Sequence, residues 1–275
     1  MNIDEKFQKL KENIFKLESV AIAYSGGVDS TFLLKVAFDL LGDKVVAVTA
    51  KSSTYPIREL NEATTFAKKI GAKHIIITSE ELEIEGFAKN PVNRCYFCKK
   101  ELFSKVRKIA DEEALKQVLD GSNLDDVSDV RPGMQAAAEL KVISPLKDAR
   151  LTKDEIRKLS KDLGLRTWDK PSFACLSSRF PYGTEITKSK LKKIELAEQY
   201  LMDIGFRQVR VRYEGNTARI EVSPEERMKF FDVDLLDKVG KKFKEIGFAY
   251  STMDLLGYRT GSMNEVIKKI KKLNN

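Results

Sequence analysis

The segment from Ser25 to Ser30 carries the residue types with the clearest chemistry in this chain. It reads Ser-Gly-Gly-Val-Asp-Ser, follows the apolar run 20–24 and precedes an apolar pattern over 31–36. Adjacent glycines let backbone N–H groups approach phosphate oxygens, and a following helix N-terminus adds the positive end of its dipole. The segment therefore predicts a phosphate-binding loop without the Gly-Lys-Ser/Thr ending of a Walker A loop. The residues expected to contact the phosphates are Ser25, Gly26, Gly27, Asp29 and Ser30.

This loop resembles the PP-loop of the ATP pyrophosphatases, because the same six-residue pattern follows a strand directly there. The resemblance implies that ATP adenylates a carbonyl oxygen and that pyrophosphate leaves. The alternative is an ordinary glycine turn of an α/β protein, but six matching positions in a strand–helix context favour the nucleotide site.

A second polar turn, from Gly121 to Asp126, follows the predicted strand 117–121 and resembles an element beside the nucleotide of PP-loop enzymes. Carboxylates near a triphosphate suit Mg²⁺, which prefers oxygen ligands, whereas the alternative is a helix start with acidic first-turn residues. Farther along, an arginine in a Pro-Gly turn either stabilises adenylate and pyrophosphate or belongs to a plain surface turn. The residues predicted to bind nucleotide here are Gly121, Asn123, Asp126 and Arg131.

Three cysteines and one histidine are the soft metal ligands of the chain. Cys95 and Cys98 form a Cys-x-x-Cys pair, and Cys175 lies at a predicted domain junction, followed by Ser178 and Arg179. A structural zinc site needs four ligands, and the single histidine opens an apolar strand. Three cysteines suit a [4Fe–4S] cluster with one open iron. The alternatives are three unrelated thiols, or a reactive Cys175 with a separate redox pair.

Arg210 and Arg212 alternate along one predicted strand. Two guanidinium groups on one strand face can clamp a phosphate with paired hydrogen bonds. The alternative is a strand face that is simply solvated.

The order of elements predicts an α/β fold with a doubly wound parallel sheet, because strands alternate with helices. Ligands then bind beyond the carboxyl ends of the strands. Residues 1–170 are expected to form the PP-loop domain, and residues 180–275 a smaller α+β domain for substrate binding and oligomerisation. The predicted helices of the first domain are 4–17, 30–41, 58–70, 99–116 and 151–163, and its strands are 20–24, 44–50, 74–78 and 117–121. The second domain is predicted to contain a helix at 188–204, a hairpin of 209–213 with 218–222, helices over about 225–246 and a strand at 249–254.

Composition is typical of a soluble globular protein, with 42% hydrophobic and 33% charged residues among 275. The N-terminus reads as an amphipathic helix rather than a signal peptide, so a cytoplasmic location is expected. The odd number of cysteines argues against a disulfide scaffold. Residues 1–150 hold 23 basic and 23 acidic side chains, whereas residues 151–275 hold 26 and 18. This basic second half favours an anionic partner, although a lysine-rich surface would give the same excess.

Taken together, the motifs resemble the LarE family of sulfur transferases, which help to assemble the nickel-pincer nucleotide cofactor of lactate racemase. The resemblance runs from about residue 5 to residue 262. It is carried by SGGVDS at 25–30, CLSSRFPYG at 175–183 and VRVRYEGNTARIEV at 209–222. It implies that ATP adenylates the carboxylates of pyridinium-3,5-biscarboxylic acid mononucleotide, and that sulfur displaces AMP to give thiocarboxylates.

The family contains two kinds of member. In one, a single cysteine matching Cys175 gives up its own sulfur. In the other, three cysteines hold a [4Fe–4S] cluster whose open iron carries an extra sulfide. Because it has Cys95 and Cys98 besides Cys175, this chain resembles the second kind. The resemblance further implies Mg²⁺, a sulfide source, a homo-oligomer and a substrate phosphate on Arg210 and Arg212. The residues expected to serve catalysis are Cys175, Asp29, Ser178 and Arg179.

Other functions remain open at the level of sequence. A tRNA 2-thiolation enzyme also combines a PP-loop with cysteines, but we find no cysteine pairs for a zinc ribbon and no added RNA-binding module. An amide-forming synthetase of the NAD or GMP synthetase kind would not need the cysteines. A nucleotide-binding sensor would release no pyrophosphate. Neither a membrane nor a nucleic acid is expected as a partner.

Overall fold

The structure is a computed structural model that describes residues 1–128 and 132–262. These residues divide into two units. The first contains Met1–Phe87 and Val92–Phe173, and the second contains Ala88–Pro91 and the described residues from Ala174 onward. None of the helices in the described ranges has the length and apolar content that a membrane span requires.

The first unit is built on a parallel sheet with the strand order β3-β2-β1-β4. From β1 the chain adds β2 and β3 on one side, and then crosses back to add β4 on the other. The direction of winding therefore reverses between β1 and β4, which is where ligands bind in such sheets. The strands are β1 Val20–Ala23, β2 Val45–Lys51, β3 Lys73–Thr78 and β4 Gln117–Leu119.

Helices cover both faces of this sheet, as the doubly wound fold requires. Successive strand residues point to opposite faces. Val20 and Ile22 of β1 share a buried cluster with Phe32, whereas Ala21 packs in a separate cluster with Val106. The predicted α/β fold with a parallel sheet is thus confirmed. The helices are α1 Ile3–Phe15, α2 Val28–Leu41, α3 Ile57–Ile70, α4 Arg94–Glu112, α5 Pro132–Glu139, α6 Pro145–Asp148 and α7 Lys153–Asp162.

Helix α4 corrects one sequence-based boundary. The pattern predicted a helix over 99–116 with the cysteine pair before it, but the helix begins at Arg94 and so includes both cysteines in its first turns. It ends early because Ala114 takes a left-handed conformation with φ 54°. The Leu115 N–H then bonds the Ala110 carbonyl, which is the closure of a Schellman motif. Because glycine usually occupies the left-handed position, an alanine there gave no signal.

The second unit is a three-stranded sheet, β5-β6-β7, with helices α8 and α9. Strands β5 and β6 pair antiparallel about Gly215, whose φ is 65°, so the predicted hairpin is confirmed. Strand β7 pairs parallel with β6. The elements are α8 Lys188–Asp203, β5 Val209–Glu214, β6 Thr217–Val222, α9 Val233–Ile246 and β7 Tyr250–Met253, with 3₁₀ turns at Leu176–Arg179 and Pro224–Phe231.

Candidate functional site

The glycine loop leads from β1 directly into α2, as its sequence predicts. Helix α2 begins at Val28 with Gly27 as its N-cap, and no side chain caps it. The backbone N–H groups of a first helical turn have no partner within their own helix, and together they favour an anion. The hydroxyls of Ser25 and Ser30 lie 3.1 Å apart beside these groups. The loop thus has the form of a phosphate cradle.

Gly26 lets this loop approach helix α3. Its φ is 63°, and a Cβ atom there would lie 2.7 Å from the Cβ of Ala63. Real atoms do not come that close, so any larger residue displaces the loop or the helix. The sequence showed that a glycine was needed, but not that the reason is the packing of α3.

We expect Gly26→Ala to weaken ATP binding by tenfold or more, on the order of 1.4 kcal/mol, because the added methyl group displaces the loop. Isothermal titration calorimetry measures this loss. Gly42→Ala is the matched control, because Gly42 has a similar φ of 58° and open space where its Cβ would stand. Equal ATP affinity in the two variants would show that the close approach does not shape the nucleotide site.

The loop after β4 meets the glycine loop. A Cβ on Gly121 would lie 3.1 Å from the backbone nitrogen of Ser30. The Asn123 amide donates to Oδ1 of Asp29 at 3.2 Å, and Oδ2 of Asp126 accepts the N–H of Asn123 at 3.0 Å. The structure therefore brings these predicted nucleotide residues together at the reversal point of the sheet. Arg131 lies outside the described residues.

Lys153 is a site residue that the sequence reasoning missed. Its ammonium group forms an ion pair with Asp29, and its backbone N–H donates to Asp125 at 2.7 Å. It stands first in α7, which begins with a capping box formed by Thr152 and Glu155. A lysine at a helix N-terminus opposes the helix dipole, and this mismatch was the available signal. Its partner was hidden because it lies 124 residues away.

Two further side chains fix the carbonyl groups of the glycine loop. Tyr55 donates its hydroxyl to the Ser25 carbonyl at 2.7 Å. The Lys170 ammonium lies 3.2 Å from the Gly26 carbonyl and 2.7 and 2.8 Å from carboxylate oxygens of Glu59 and Glu62 on α3. These bonds engage carbonyl oxygens that would otherwise repel a phosphate group, and they tie the loop to α3.

The cysteine pair lies on one side of α4, since residues three apart on a helix are neighbours. Cys95 is exposed and Cys98 is half-buried, with its sulfur 3.9 Å from Oε1 of Glu81. Burial raises the pKa of the Glu81 carboxyl. Within the described ranges, no three side chains of Cys, His, Asp or Glu are grouped so that they could hold a metal ion. Cys175 belongs to the second unit.

In the second unit, Cys175 is the N-cap of the 3₁₀ turn Leu176–Arg179 and is half-buried. The Arg179 side chain is 0% exposed, so its guanidinium faces protein groups rather than an open surface. Ser178 accepts a hydrogen bond from Arg179 through its hydroxyl at 2.8 Å, and another from Arg212 through its carbonyl at 2.7 Å. The turn that carries Cys175 is thus held by two guanidinium groups.

Arg210 and Arg212 are both buried, so the alternative of a solvated strand face is wrong. Arg212 forms a two-bond pair with Glu221, at 2.9 and 2.7 Å. Arg210 stacks on the Tyr258 ring, 5.1 Å from its centroid. Burial, followed by the charge of Arg179, lowers the pKa of Arg210 to about 10, so the side chain remains positive at neutral pH.

Five charged side chains are buried among the described residues of the second unit: Arg179, Arg210, Arg212, Glu198 and Glu221. Buried charges are costly unless they are compensated. Glu198 pairs with Arg179, and Glu221 pairs with Arg212.

Comparisons with known proteins extend beyond the nucleotide loop. An uncharacterized protein of Synechocystis sp. is 45% identical over 97% of this chain and 100% of its own length. The pyridinium-3,5-bisthiocarboxylic acid mononucleotide synthase of Lactiplantibacillus plantarum is 39% identical over 92% of this chain and 91% of its own length. A component of the glutamine-hydrolyzing GMP synthase of Methanococcus vannielii is 28% identical over 59% of this chain and 55% of its own length. No family model matches the sequence.

The GMP synthase similarity and the parallel sheet both fit the PP-loop ATP pyrophosphatase fold. The similarity to the Lactiplantibacillus protein covers nearly the whole of both chains, which includes the second unit. The chain therefore belongs to the LarE family, the family of that pyridinium-3,5-bisthiocarboxylic acid mononucleotide synthase.

Proposed function

We propose that this protein is an ATP-dependent sulfurtransferase that converts pyridinium-3,5-biscarboxylic acid mononucleotide into its thiocarboxylate form. The observation that carries the proposal is the 39% identity, over 92% of the chain, to a synthase named for the bisthiocarboxylic product. The chain adds physical support, because its first unit contains a phosphate cradle and its second unit a strand with two buried arginines.

The reaction is proposed to proceed in two halves for each carboxylate. A carboxylate oxygen attacks the α-phosphorus of ATP, the bond to the β-phosphate breaks, and pyrophosphate leaves. Sulfur then attacks the acyl carbon, the carbon–oxygen bond to AMP breaks, and a thiocarboxylate and a proton remain. Adenylation is needed because a free carboxylate has no good leaving group. Each sulfur inserted therefore consumes one ATP.

Residues of the first unit would serve the activating half. The loop N–H groups would bind phosphate, and Asp29 with Asp126 would supply the oxygen ligands that Mg²⁺ prefers. Bound Mg²⁺ would neutralise charge that develops on the phosphate oxygens. Lys153 balances Asp29 in the structure. The Lys153 ammonium group would also stabilise charge on the leaving pyrophosphate, as a fixed positive charge does in a transition state.

Arg210 of the second unit would serve the substrate, and cysteines of both units would serve the sulfur. Arg210 is the guanidinium we assign to the substrate phosphate, because it lies on β5, stacked on the Tyr258 ring, and a guanidinium can bind phosphate with paired hydrogen bonds. Cys175, Cys95 and Cys98 are proposed to hold a [4Fe–4S] cluster with one open iron. Thiols are the donors such a cluster requires, and the i, i+3 pair on α4 fits two of its positions. The cluster would supply a site for a transferable sulfide.

The activating half can be tested by the release of pyrophosphate. We expect pyrophosphate release to require the carboxylated mononucleotide, with a much higher KM for the dephosphorylated nucleoside. Arg210→Ala should raise the KM for the mononucleotide about tenfold to a hundredfold and leave the KM for ATP unchanged. Lys192→Ala, on an exposed side chain of the same unit, is the control. Equal effects of Arg210→Ala on both KM values would count against the phosphate assignment.

The cluster can be tested by anaerobic purification. We expect about four iron and four sulfide ions per chain, and a visible absorption band that bleaches on reduction. Replacing both Cys95 and Cys98 with serine should remove the iron. Fully active protein without iron would contradict the cluster assignment and would leave Cys175 alone as the sulfur donor.

A further inference from the structure

Arg179 holds the backbone on either side of Cys175. One guanidinium nitrogen, Nη1, lies 2.6 Å from the Ala174 carbonyl oxygen and 3.0 Å from the Cys175 carbonyl oxygen. The Cys175 carbonyl also accepts the Ser178 N–H at 3.0 Å, which closes the 3₁₀ turn. The direction in which the Cys175 side chain leaves the backbone is therefore set by these bonds, whereas no cap bond from that side chain is present.

Glu198 on α8 holds the other edge of this guanidinium. Its two oxygens accept from Nε and Nη2 of Arg179 at 2.8 and 2.9 Å, and Oε1 also accepts the Val211 N–H of β5 at 2.9 Å. Burial alone would raise the pKa of Glu198, but the Arg179 and Arg210 charges and these bonds hold it below its usual value. The carboxylate is thus ionised, and one group joins the Cys175 turn to the strand that carries Arg210.

The rest of the segment is held in the same way. Arg212, itself fixed by Glu221, binds the Ser178 carbonyl. The fully buried Asn90 donates its amide to the carbonyls of Phe180 and Pro181, at 3.3 and 2.7 Å. Five carbonyls between residues 174 and 181 therefore accept side-chain hydrogen bonds, and these bonds fix the backbone of the segment.

We propose that Glu198 is a positioning residue for sulfur transfer: it keeps the Arg179 guanidinium across the carbonyls of Ala174 and Cys175, and so fixes Cys175 relative to the Arg210 strand. The role of Arg179 is then positioning rather than contact with substrate. This inference rests on the proposed function for its meaning, because Cys175 must carry or bind the sulfur. A displacement of a reacting group by about 1 Å can cost a hundredfold in rate.

The structural part is tested by the alkylation rate of Cys175 with iodoacetamide, in a Cys95→Ser/Cys98→Ser background where it is the remaining thiol. Glu198→Gln leaves the buried guanidinium without its counter-charge and should speed alkylation roughly tenfold by releasing the turn. Arg179→Lys should also speed alkylation of Cys175, because an ammonium group cannot bind the Glu198 carboxylate and the two backbone carbonyls at once. The double variant should be alkylated at the same rate as each single variant, because both substitutions interrupt the same connection from Glu198 through Arg179 to the Cys175 turn.

Ile194→Ala is the matched control, because Ile194 is fully buried on the same helix and has no bond to the Cys175 turn. Its alkylation rate should equal that of the parent protein. A Glu198→Gln rate no higher than that of Ile194→Ala, or effects that multiply in the double variant, would overturn the proposal. Glu198→Asp retains the charge with a shorter reach, and it gives the same comparison if the glutamine variant does not fold.

The functional part is tested in the protein with all three cysteines. Glu198→Gln should lower the kcat for thiocarboxylate formation about a hundredfold, with the first-turnover release of pyrophosphate unchanged. An equal loss of both activities would contradict a positioning role. If the parent protein forms no thiocarboxylate at all, the proposed function fails, whereas the alkylation rates still decide whether Glu198 fixes Cys175.

Discussion

Cys175→Ser is expected to lower thiocarboxylate formation by more than about 10³-fold, while one pyrophosphate per chain is still released in the first turnover. The hydroxyl group of serine is a poor ligand for iron and carries no sulfur to give. The residues proposed to bind ATP, by contrast, lie in the first unit, and Cys175 belongs to the second. The two halves of the reaction should therefore separate. Quantifying pyrophosphate and thiocarboxylate in the same reaction measures this separation.

Ser178→Ala provides the comparison for this result. Its hydroxyl accepts a bond from Arg179, but its carbonyl, which Arg212 holds, is unchanged by the substitution. We expect a reduction of about tenfold or less in thiocarboxylate formation. Normal thiocarboxylate formation by Cys175→Ser would show that Cys175 takes no part in sulfur transfer. The proposed positioning role of Glu198 would then have no function.

Asp29→Asn is expected to lower AMP formation by about 10²–10³-fold, because the amide cannot neutralise Mg²⁺ as a carboxylate does. Lys153→Met should have an effect of similar size if its charge acts on the leaving pyrophosphate. The double variant distinguishes two roles for the lysine. Recovery of activity would mean that Lys153 only balances Asp29, whereas a further loss would place both groups at the ATP phosphates.

Asp39→Asn and Lys35→Met are the controls for this pair. They carry the same substitutions in the same helix as Asp29, and the two side chains form an ion pair of their own at 2.6 Å on a more exposed surface. Their AMP formation should remain near that of the parent protein, as surface ion pairs contribute little. Unchanged AMP formation in Asp29→Asn would remove that carboxylate from the nucleotide site.

Local patterns predicted the parts of the fold that depend on neighbouring residues. The glycine loop, the capping box at Thr152 and the hairpin about Gly215 each have a signal within a few residues, and the structure contains all three. The short helices α5 and α6 carry too few residues to show a period, so the sequence did not reveal them.

Contacts between distant residues account for what the sequence missed. Lys153 and Asp29 are 124 positions apart, and Lys170 reaches the Gly26 carbonyl from 144 positions away. Glu198 meets Arg179 from within α8, 19 positions away, which no local spacing could indicate. The buried state of Arg210 and Arg212 was equally hidden, because an alternation of valine and arginine is typical of a half-exposed strand.

Mass spectrometry of the reaction product tests the central claim most directly. Anaerobically prepared protein is incubated with the biscarboxylic mononucleotide, Mg²⁺, ATP and isotopically labelled sulfide. We expect a product in which labelled sulfur has replaced carboxylate oxygen, with one AMP released for each sulfur inserted and with several turnovers per chain. AMP release without any sulfur in the product would contradict the proposed function. Unlabelled sulfur, with a single turnover and loss of sulfur from Cys175, would contradict the cluster and identify a sacrificial cysteine.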